Sequence, residues 1–326
     1  MRLHRLAISF ALACFTVFGA TAIAAAQDYP SRRITLVVPF PPGGGNDAMA
    51  RIMADRLSAA LGQTVIVENR GGGGGLVGTR SVIKAAPDGY TLMLGHTGSI
   101  GINQTLYRDA GFDARKDFVA IGLIATMPLA LLTHPSVQAK SVGELLELAR
   151  SNPGKLILGS SSKGTGSHMC AEMFMHVAGV TMNLIPYKGT AQALTDLIGG
   201  HTQLTFNVIP PALGSVQSGQ LRALAVTSPQ RSALLPDVPT AAESGLPGFD
   251  VVLNYGLLAP TGTPRPIIDK INQAMRGALD DAEFKKRVAA DGAEARSSTP
   301  DEYAAIVERD AARWGDLIKK LDLKVE

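Results

Sequence analysis

The side chains with the most chemistry to offer lie in one short segment, Ser160-Ser161-Ser162-Lys163-Gly164-Thr165-Gly166-Ser167-His168. Ser160-x-x-Lys163 has the spacing at which a lysine helps activate a serine for acyl transfer. The companion Ser-Asp-Asn and Lys-Thr-Gly are missing, and Lys188-Gly189-Thr190 has the wrong order. The segment also reads as a strand-to-helix loop offering hydroxyls and bare amides to a small anion, with Ser167 as N-cap. That reading is preferred, because a lone Ser-x-x-Lys match in a serine-rich loop says little. His168 has only His176 near it, two turns on, and no carboxylate or cysteine cluster completes a metal set. Neither a metal nor a cofactor is expected, and no catalytic residue is assigned.

Two further loops are built from glycine. Val38-Pro39-Phe40-Pro41-Pro42-Gly43-Gly44-Gly45-Asn46-Asp47 follows the apolar run Ile34 to Val37 and joins a strand to a helix. Its exposed amides and the helix macrodipole would favour a carboxylate there. Asp47 either meets a ligand ammonium or simply sits in the favourable field of a first helical turn. Gly71 to Gly75 follows the run Val65 to Glu68 and leads into a helical stretch from Leu76, so it reads as a second amide-bearing loop rather than a linker. Gly73-x-Gly75-x-x-Gly78 matches the dinucleotide fingerprint, but the acid expected about 20 residues on is absent. Asn207 ends a strand before Pro210-Pro211 and either reaches the cleft or makes a turn.

The elements that must hold these loops alternate strand, loop and helix in two series, the pattern of α/β architecture with mostly parallel strands. The first series runs from Ile34 to Leu94. The second runs from Leu156 to Thr227, giving two separate sheets with their own helices. Between and after them lie two long apolar runs, Phe118 to Thr133 and Val251 to Ala259. Read as strands crossing between the sheets, they make the first domain discontinuous: 27–125 plus 255–326, with 126–254 as the second. After Pro266 the pattern is helical, with Trp314 packed in the last helix.

The start of the chain sets the compartment. Arg2, His4 and Arg5, an apolar run from Leu6 to Ala20 and Ala24-Ala25-Ala26 read as a secretory signal over residues 1–26. Cys14 could be read as a lipid-attachment site, but Ala11-Leu12-Ala13 puts leucine one place off the usual pattern and the apolar stretch before it is short. Arg2 and Arg5 leave with the signal, bringing 31 basic residues close to the 28 acidic ones, so the mature charge is near zero. That balance argues against nucleic acid as a partner. Of the two cysteines only Cys170 remains, so stability must come from the core rather than an internal disulfide.

The chain resembles the tripartite tricarboxylate transporter receptors, the Bug-type extracytoplasmic solute-binding proteins. The likeness is carried by the segment from Val38 to Asp47, Val67-Glu68-Asn69-Arg70-Gly71, Ala86-Pro87-Asp88-Gly89-Tyr90-Thr91-Leu92, Pro186-Tyr187-Lys188-Gly189, Leu224-Ala225-Val226-Thr227, Leu235-Pro236-Asp237-Val238-Pro239-Thr240 and Gly256-Leu257-Leu258-Ala259-Pro260. The resemblance implies an α/β, two-lobed periplasmic binding protein of type II-like, Venus flytrap form with two hinge-crossing strands. It implies a monomer that captures a small carboxylate and delivers it to inner-membrane permease subunits. By matching position, Phe40, Gly43, Gly44, Asn46 and Asp47, flanked by Thr97, Gly98 and Ser99, would serve the site from one lobe. Ser161, Gly164, Thr165, Gly166, Ser167, His168, Tyr187, Gly189 and Asn207 would serve it from the other. The chain departs from the family pattern at Asn46, often Thr or Ser there, at Asn207, often Asp, and at Asn254, often aromatic.

Overall fold

The computed structural model describes residues 29–43 and 45–325; the proposed signal over residues 1–26, with Cys14, lies outside them, as does Gly44. The first series folds as β1 (Ile34–Val38), α1 (Gly45–Leu61), β2 (Val65–Asn69), α2 (Leu76–Ile83) and β3 (Thr91–His96). Strand β1 runs parallel to both β2 and β3. β4 (Phe118–Thr133) then leads to α3 (Val142–Ser151), and the second series follows. It comprises β5 (Ile157–Ser160), α4 (Gly166–Ala178), β6 (Asn183–Pro186), α5 (Thr190–Ile198), β7 (Leu204–Val208), α6 (Ile209–Gln217) and β8 (Arg222–Val226). β9 (Val252–Pro260) returns to the first sheet, followed by α7 (Arg265–Leu279), α8 (Ala282–Ala290), β10 (Glu294–Ala295) and α9 (Pro300–Lys320). The fold is a two-lobed α/β binding-protein fold.

The strand order β2-β1-β3-β9-β4-β7-β5-β6 shows how the lobes are joined. β4 is 16 residues long, enough for two sheets. Phe118 to Pro128 pairs antiparallel with β9, whereas Leu129 to Thr133 pairs with β7 and Ala130 to Thr133 with β8. The two sheets are therefore not separate: they share β4, because a strand of that length satisfies two short ladders in succession. Pro128, which has no amide to donate, stands at the changeover, where the loss of one ladder donor is tolerated. Next to it the Leu129 amide donates to Thr227 Oγ1 at 2.8 Å, and the same hydroxyl donates to the Val251 carbonyl at 2.5 Å. The Thr227 amide also reaches the Leu129 carbonyl, and the Val251 amide the Thr227 carbonyl. One threonine thus ties both crossing strands together where they pass between lobes.

Hydrophobic burial holds the layers together. One core cluster is continuous from Leu36 in the first sheet through Leu129 to Leu158 in the second, and smaller clusters lie around Tyr303 and around Leu197. Trp314 is buried in α9, as the helical spacing implied, and Thr299 caps that helix in a reciprocal pair with Glu302. Cys170 is buried and unpaired, and its burial raises the thiol well above its usual range. α3 occupies the gap left between the two series; Ser141 caps it by accepting from the Glu144 amide. Among the described residues no helix is long and apolar enough to cross a membrane.

Replacing Thr227 by Val leaves one buried amide and one buried carbonyl without the hydroxyl at the crossing. The variant should lose about 2 kcal/mol in urea unfolding, read as a lower midpoint at unchanged slope. A loss within 0.5 kcal/mol, about the size of an ordinary surface substitution, would remove Thr227 from this role.

Candidate functional site

The helix starts of both lobes meet at the ends of the parallel strands. On the first side, β1 runs out into the loop that carries Phe40 and Gly43. Asp47, buried on the first turn of α1, organises it: Oδ2 accepts from the Gly43 amide at 3.0 Å and Arg51 Nε at 3.1 Å, and Oδ1 accepts from Asn69 Nδ2 at 3.0 Å. Burial alone would raise the Asp47 carboxyl, but the hydrogen bonds from Arg51, Gly43 and Asn69 with the Arg51 charge carry it below its ordinary value. These oxygens brace the glycine loop. Asn46 beside it keeps a buried Oδ1 with no partner among the described residues.

β3 ends at His96, whose ring lies edge-on to Phe40 at 5.3 Å and tilted against Tyr255 at 5.5 Å. His96 caps the wide helical turn Thr97–Ile102: Nδ1 accepts from the Ser99 amide, and Ser99 Oγ accepts from the His96 amide. The hydroxyl of Thr97 accepts from the Asn254 amide at 2.8 Å and donates to Asp310 Oδ2 at 3.4 Å; Asn254 Nδ2 donates to the same oxygen at 2.8 Å. Thr97 and Ser99 thus fix the turn to the crossing strand β9 and to α9. Burial raises the Asp310 carboxyl, partly offset by Asn254, Arg309, Arg313 and Thr97.

On the second side, Thr165 rather than Ser167 caps α4. Its Oγ1 accepts from the His168 amide, pairs with Ser161 Oγ at 2.5 Å and donates to the Ser162 carbonyl at 2.7 Å. Thr165 has the extended backbone a cap requires, whereas Ser167 already lies inside the helix and its hydroxyl donates to the Phe206 carbonyl. The cap takes the His168 amide, and helix geometry gives the amides of Gly166 and Ser167 no intrahelical partner. α5 starts at Gly189 with no side-chain cap. Asn207 lies beside that start, its Nδ2 donating to the Thr190 carbonyl at 3.1 Å.

The lobes come together through glycine. A Cβ at Gly98 would stand 3.4 Å from the Gly164 carbonyl oxygen and 2.5 Å from His96 Cε1. One at Gly164 would stand 2.8 Å from Asn103 Oδ1 and 2.9 Å from Leu106. Asn103 Nδ2 donates to the Gly74 carbonyl at 2.6 Å, and Gly75 abuts Pro39 and Phe40. Both glycine loops of the first lobe and the Ser160–Thr165 loop of the second therefore form one contiguous surface around Asn103. Gly166 packs on Leu253 of β9. Tyr187 stands apart: its ring covers Gly159, and burial followed by a hydrogen bond to Asp196 pushes its hydroxyl up to about 12. Asp196 is nearly two turns from the α5 start.

The charges at this junction are few. His168 is 6% exposed, and burial, with a smaller contribution from the Lys163 charge, lowers its imidazole to about 4. Its Nδ1 has no partner among the described residues, and its Nε2 is 3.8 Å from Glu172, whose carboxyl is raised by burial. His96 is lowered to about 4 by burial. Ser160 is fully buried with its hydroxyl donating to the Ser161 carbonyl, while Lys163 is exposed. Among the described residues no group of three or more His, Cys, Asp or Glu could hold a metal.

The sequence pattern of the tripartite tricarboxylate transporter family receptors matches residues 49–323. The chain belongs to this receptor family. BugT of Bordetella pertussis is 36% identical over 320 residues, covering 97% of this chain and 98% of its own. The structure of Rpa4515 from R. palustris with adipate has a TM-score of 0.79 at 35% identity, over 91% of this chain and 99% of that one. MatC from Rhodopseudomonas palustris with bound malate has a TM-score of 0.76 at 33% identity, over 89% and 100%.

The junction also gathers residues that the motifs did not mark: His96, Asn103, Asp310 and Tyr107, whose ring lies against Gly74. His96 could have been found as a polar residue ending a buried strand before a Ser at capping distance. Asp310 carries no local signal, since it meets Thr97 across 213 positions.

Two expected outcomes follow from the geometry. In Gly164→Val, the added side chain meets Asn103 and Leu106 at a residue with φ +78°, so the lobes should stand further apart and the radius of gyration from solution scattering should rise. An unchanged radius would show that the loop yields instead. The unfolded chain takes up the His96 and His168 protons near the ordinary 6.5, the folded chain only near 4. Their contribution to stability is complete above 6.5 and is lost as pH falls toward 4, by up to about 3 kcal/mol per ring. The raised carboxyls of Glu172 and Asp310 act in the opposite sense. His168→Gln should therefore lose about 2 kcal/mol less than the parent protein between pH 7 and pH 5 in urea titrations; parallel curves would contradict a buried neutral imidazole.

Proposed function

We propose that this protein is a periplasmic receptor that captures a small mono-, di- or tricarboxylate between its lobes and hands it to the membrane permease of a tripartite tricarboxylate-type transporter. The observation that carries the reading is the close approach of the loops that open helices on opposing sides, where Gly98 faces the Gly164 carbonyl and Gly164 faces Asn103. Backbone donors there serve a negative group without a fixed counter-charge, and helix dipoles add to the attraction. The family and the adipate- and malate-bound relatives support the ligand class.

In this reading the first lobe is 27–125 plus 255–326 and the second is 126–254, moving about β4 and β9. Gly43, Asn46, Gly98, Ser161, Gly164, Gly166, Ser167, His168, Gly189 and Asn207 surround the ligand, together with Gly44. Phe40 walls the site, Asp47, Thr97, Ser99 and Thr165 hold its loops in place, and Tyr187 supports the second lobe behind Gly159. The protein is exported with its signal removed, acts as a monomer and needs no cofactor. It carries out no catalytic step: a buried Ser160 with its hydroxyl committed to Ser161 does not make a nucleophile.

A thermal-shift screen of carboxylates on the mature protein tests this. A true ligand at a hundred times its Kd adds about 2.7 kcal/mol, which for a chain of this size is a Tm rise of about 5 °C. No shift with any carboxylate, or labelling by an acyl-serine probe that disappears in Ser160→Ala, would reject the receptor reading.

A further inference from the structure

One face of α9 holds both sides of the junction. Asp310, Arg313 and Trp314 stand on it at the spacing i, i+3 and i+4. Toward the first lobe, Asp310 Oδ2 accepts from Thr97 Oγ1 and from Asn254 Nδ2. Trp314 packs on the same turn, where a Cβ at Gly101 would stand 3.4 Å from its ring. Toward the second lobe, Arg313 Nη1 donates to the Asp250 carbonyl at 2.6 Å and lies 3.1 Å from Asp250 Oδ1, while Nη2 donates to Met173 Sδ at 3.3 Å. Asp250 directly precedes Val251, whose amide holds the Thr227 carbonyl at the strand changeover. Met173 is buried on α4, about two turns from the helix start at Gly166.

The two helices are anchored on different sheets. On α9, Tyr303 and Val307 pack with Val37 of β1 and Met93 of β3. On α4, the Phe174 ring meets Phe206 of β7 edge-on at 5.3 Å. Each helix therefore travels with its own sheet when the lobes move about β4 and β9, and hydrogen bonds between them weaken steeply as donor and acceptor separate. The Arg313 contacts coexist with the approach of Gly98 to the Gly164 carbonyl. Resting on the receptor reading, we infer that Arg313 is a positioning residue for ligand capture: acting from behind the ligand loops, it latches the arrangement in which the lobes face each other and so raises the fraction of receptor competent to hold its ligand. The side chains of Arg313 and Asp250 are 29% and 57% exposed, so the ion pair itself adds little. The hold comes from the charge-assisted bond to the Asp250 carbonyl and the contact with Met173. An apparent dissociation constant is the intrinsic one divided by the competent fraction, so such a latch scales every ligand by one common factor and leaves specificity unchanged.

Calorimetry on the mature chain with L-malate, succinate and adipate tests the latch, together with solution scattering on the ligand-free protein. Arg313→Met keeps an apolar stem in place and removes the donors; it should weaken each carboxylate that binds the parent protein by one shared factor of about five. Asp250→Asn, which keeps the carbonyl, should stay within about twofold of the parent. Ligand-free Arg313→Met should also show a larger radius of gyration than the parent. The inference is overturned if Arg313→Met binds within about twofold of the parent, even at a lower urea midpoint, since the residue then only supports packing; it is equally overturned if the ligands are weakened by factors that differ more than about threefold, since the residue then acts on ligand recognition. If none of the three binds the parent protein, that result counts against the receptor reading, and the latch is judged by scattering alone: an unchanged radius in Arg313→Met overturns it.

Discussion

A strand cannot leave its backbone unpaired on the way from one sheet to another, and that constraint organises this molecule. β4 meets it by belonging to both sheets, and the changeover is confined to Pro128 and Leu129. Pro128 brings no amide that would need a partner, and the Thr227 hydroxyl takes over the Leu129 amide and hands its own proton to Val251. The lobes are thereby connected through the two crossing strands and the hydrogen bonds at Thr227, over a hydrophobic core that runs continuously from one sheet to the other. The same joint brings the C-terminal ends of two sets of parallel strands toward each other, which is where α/β sheets place their ligands.

Glycine sets how near the two sides can come. At Gly98 and Gly164 any side chain would intrude on the opposite lobe or on the His96 ring, so the surface that closes is mostly backbone. Backbone amides recognise negative charge and position without discriminating carbon skeletons. Beside that backbone surface lie buried polar side chains whose orientation is set from behind: Asn207 by the start of α5, Asn103 by Gly74, His168 by its place in α4. Their burial keeps water out of the accounting and makes each unpaired atom costly. The charged groups nearby are largely taken up elsewhere, Asp47 in its own loop and Asp310 in the Thr97 and Asn254 contacts.

Much of this was legible in the residues themselves. The two crossing strands were readable from their apolar length, and the strand-to-helix loops from glycine after an apolar run, because both depend on local composition and period. The cap of α4 was placed two residues late, since Thr165 and Ser167 are chemically equivalent caps and only the backbone turn at Gly164 selects between them. α3 escaped notice although Ser141 and Glu144 carry a capping pattern. Asn103 and Asp310 gave no comparable signal, because their partners are remote in the chain, as with Thr97 and Asp310.

By itself the sequence determined the element types, the alternation that makes two parallel layers and the bare-amide loops, all properties of neighbouring residues and of period. Only the tertiary structure decided that the two sheets share one strand, that Asp47 is spent on its own loop, and that Asn207, Asn103 and His168 are left with buried polar atoms unanswered. Those outcomes depend on which distant carbonyl faces which amide, and chain spacing alone does not encode that.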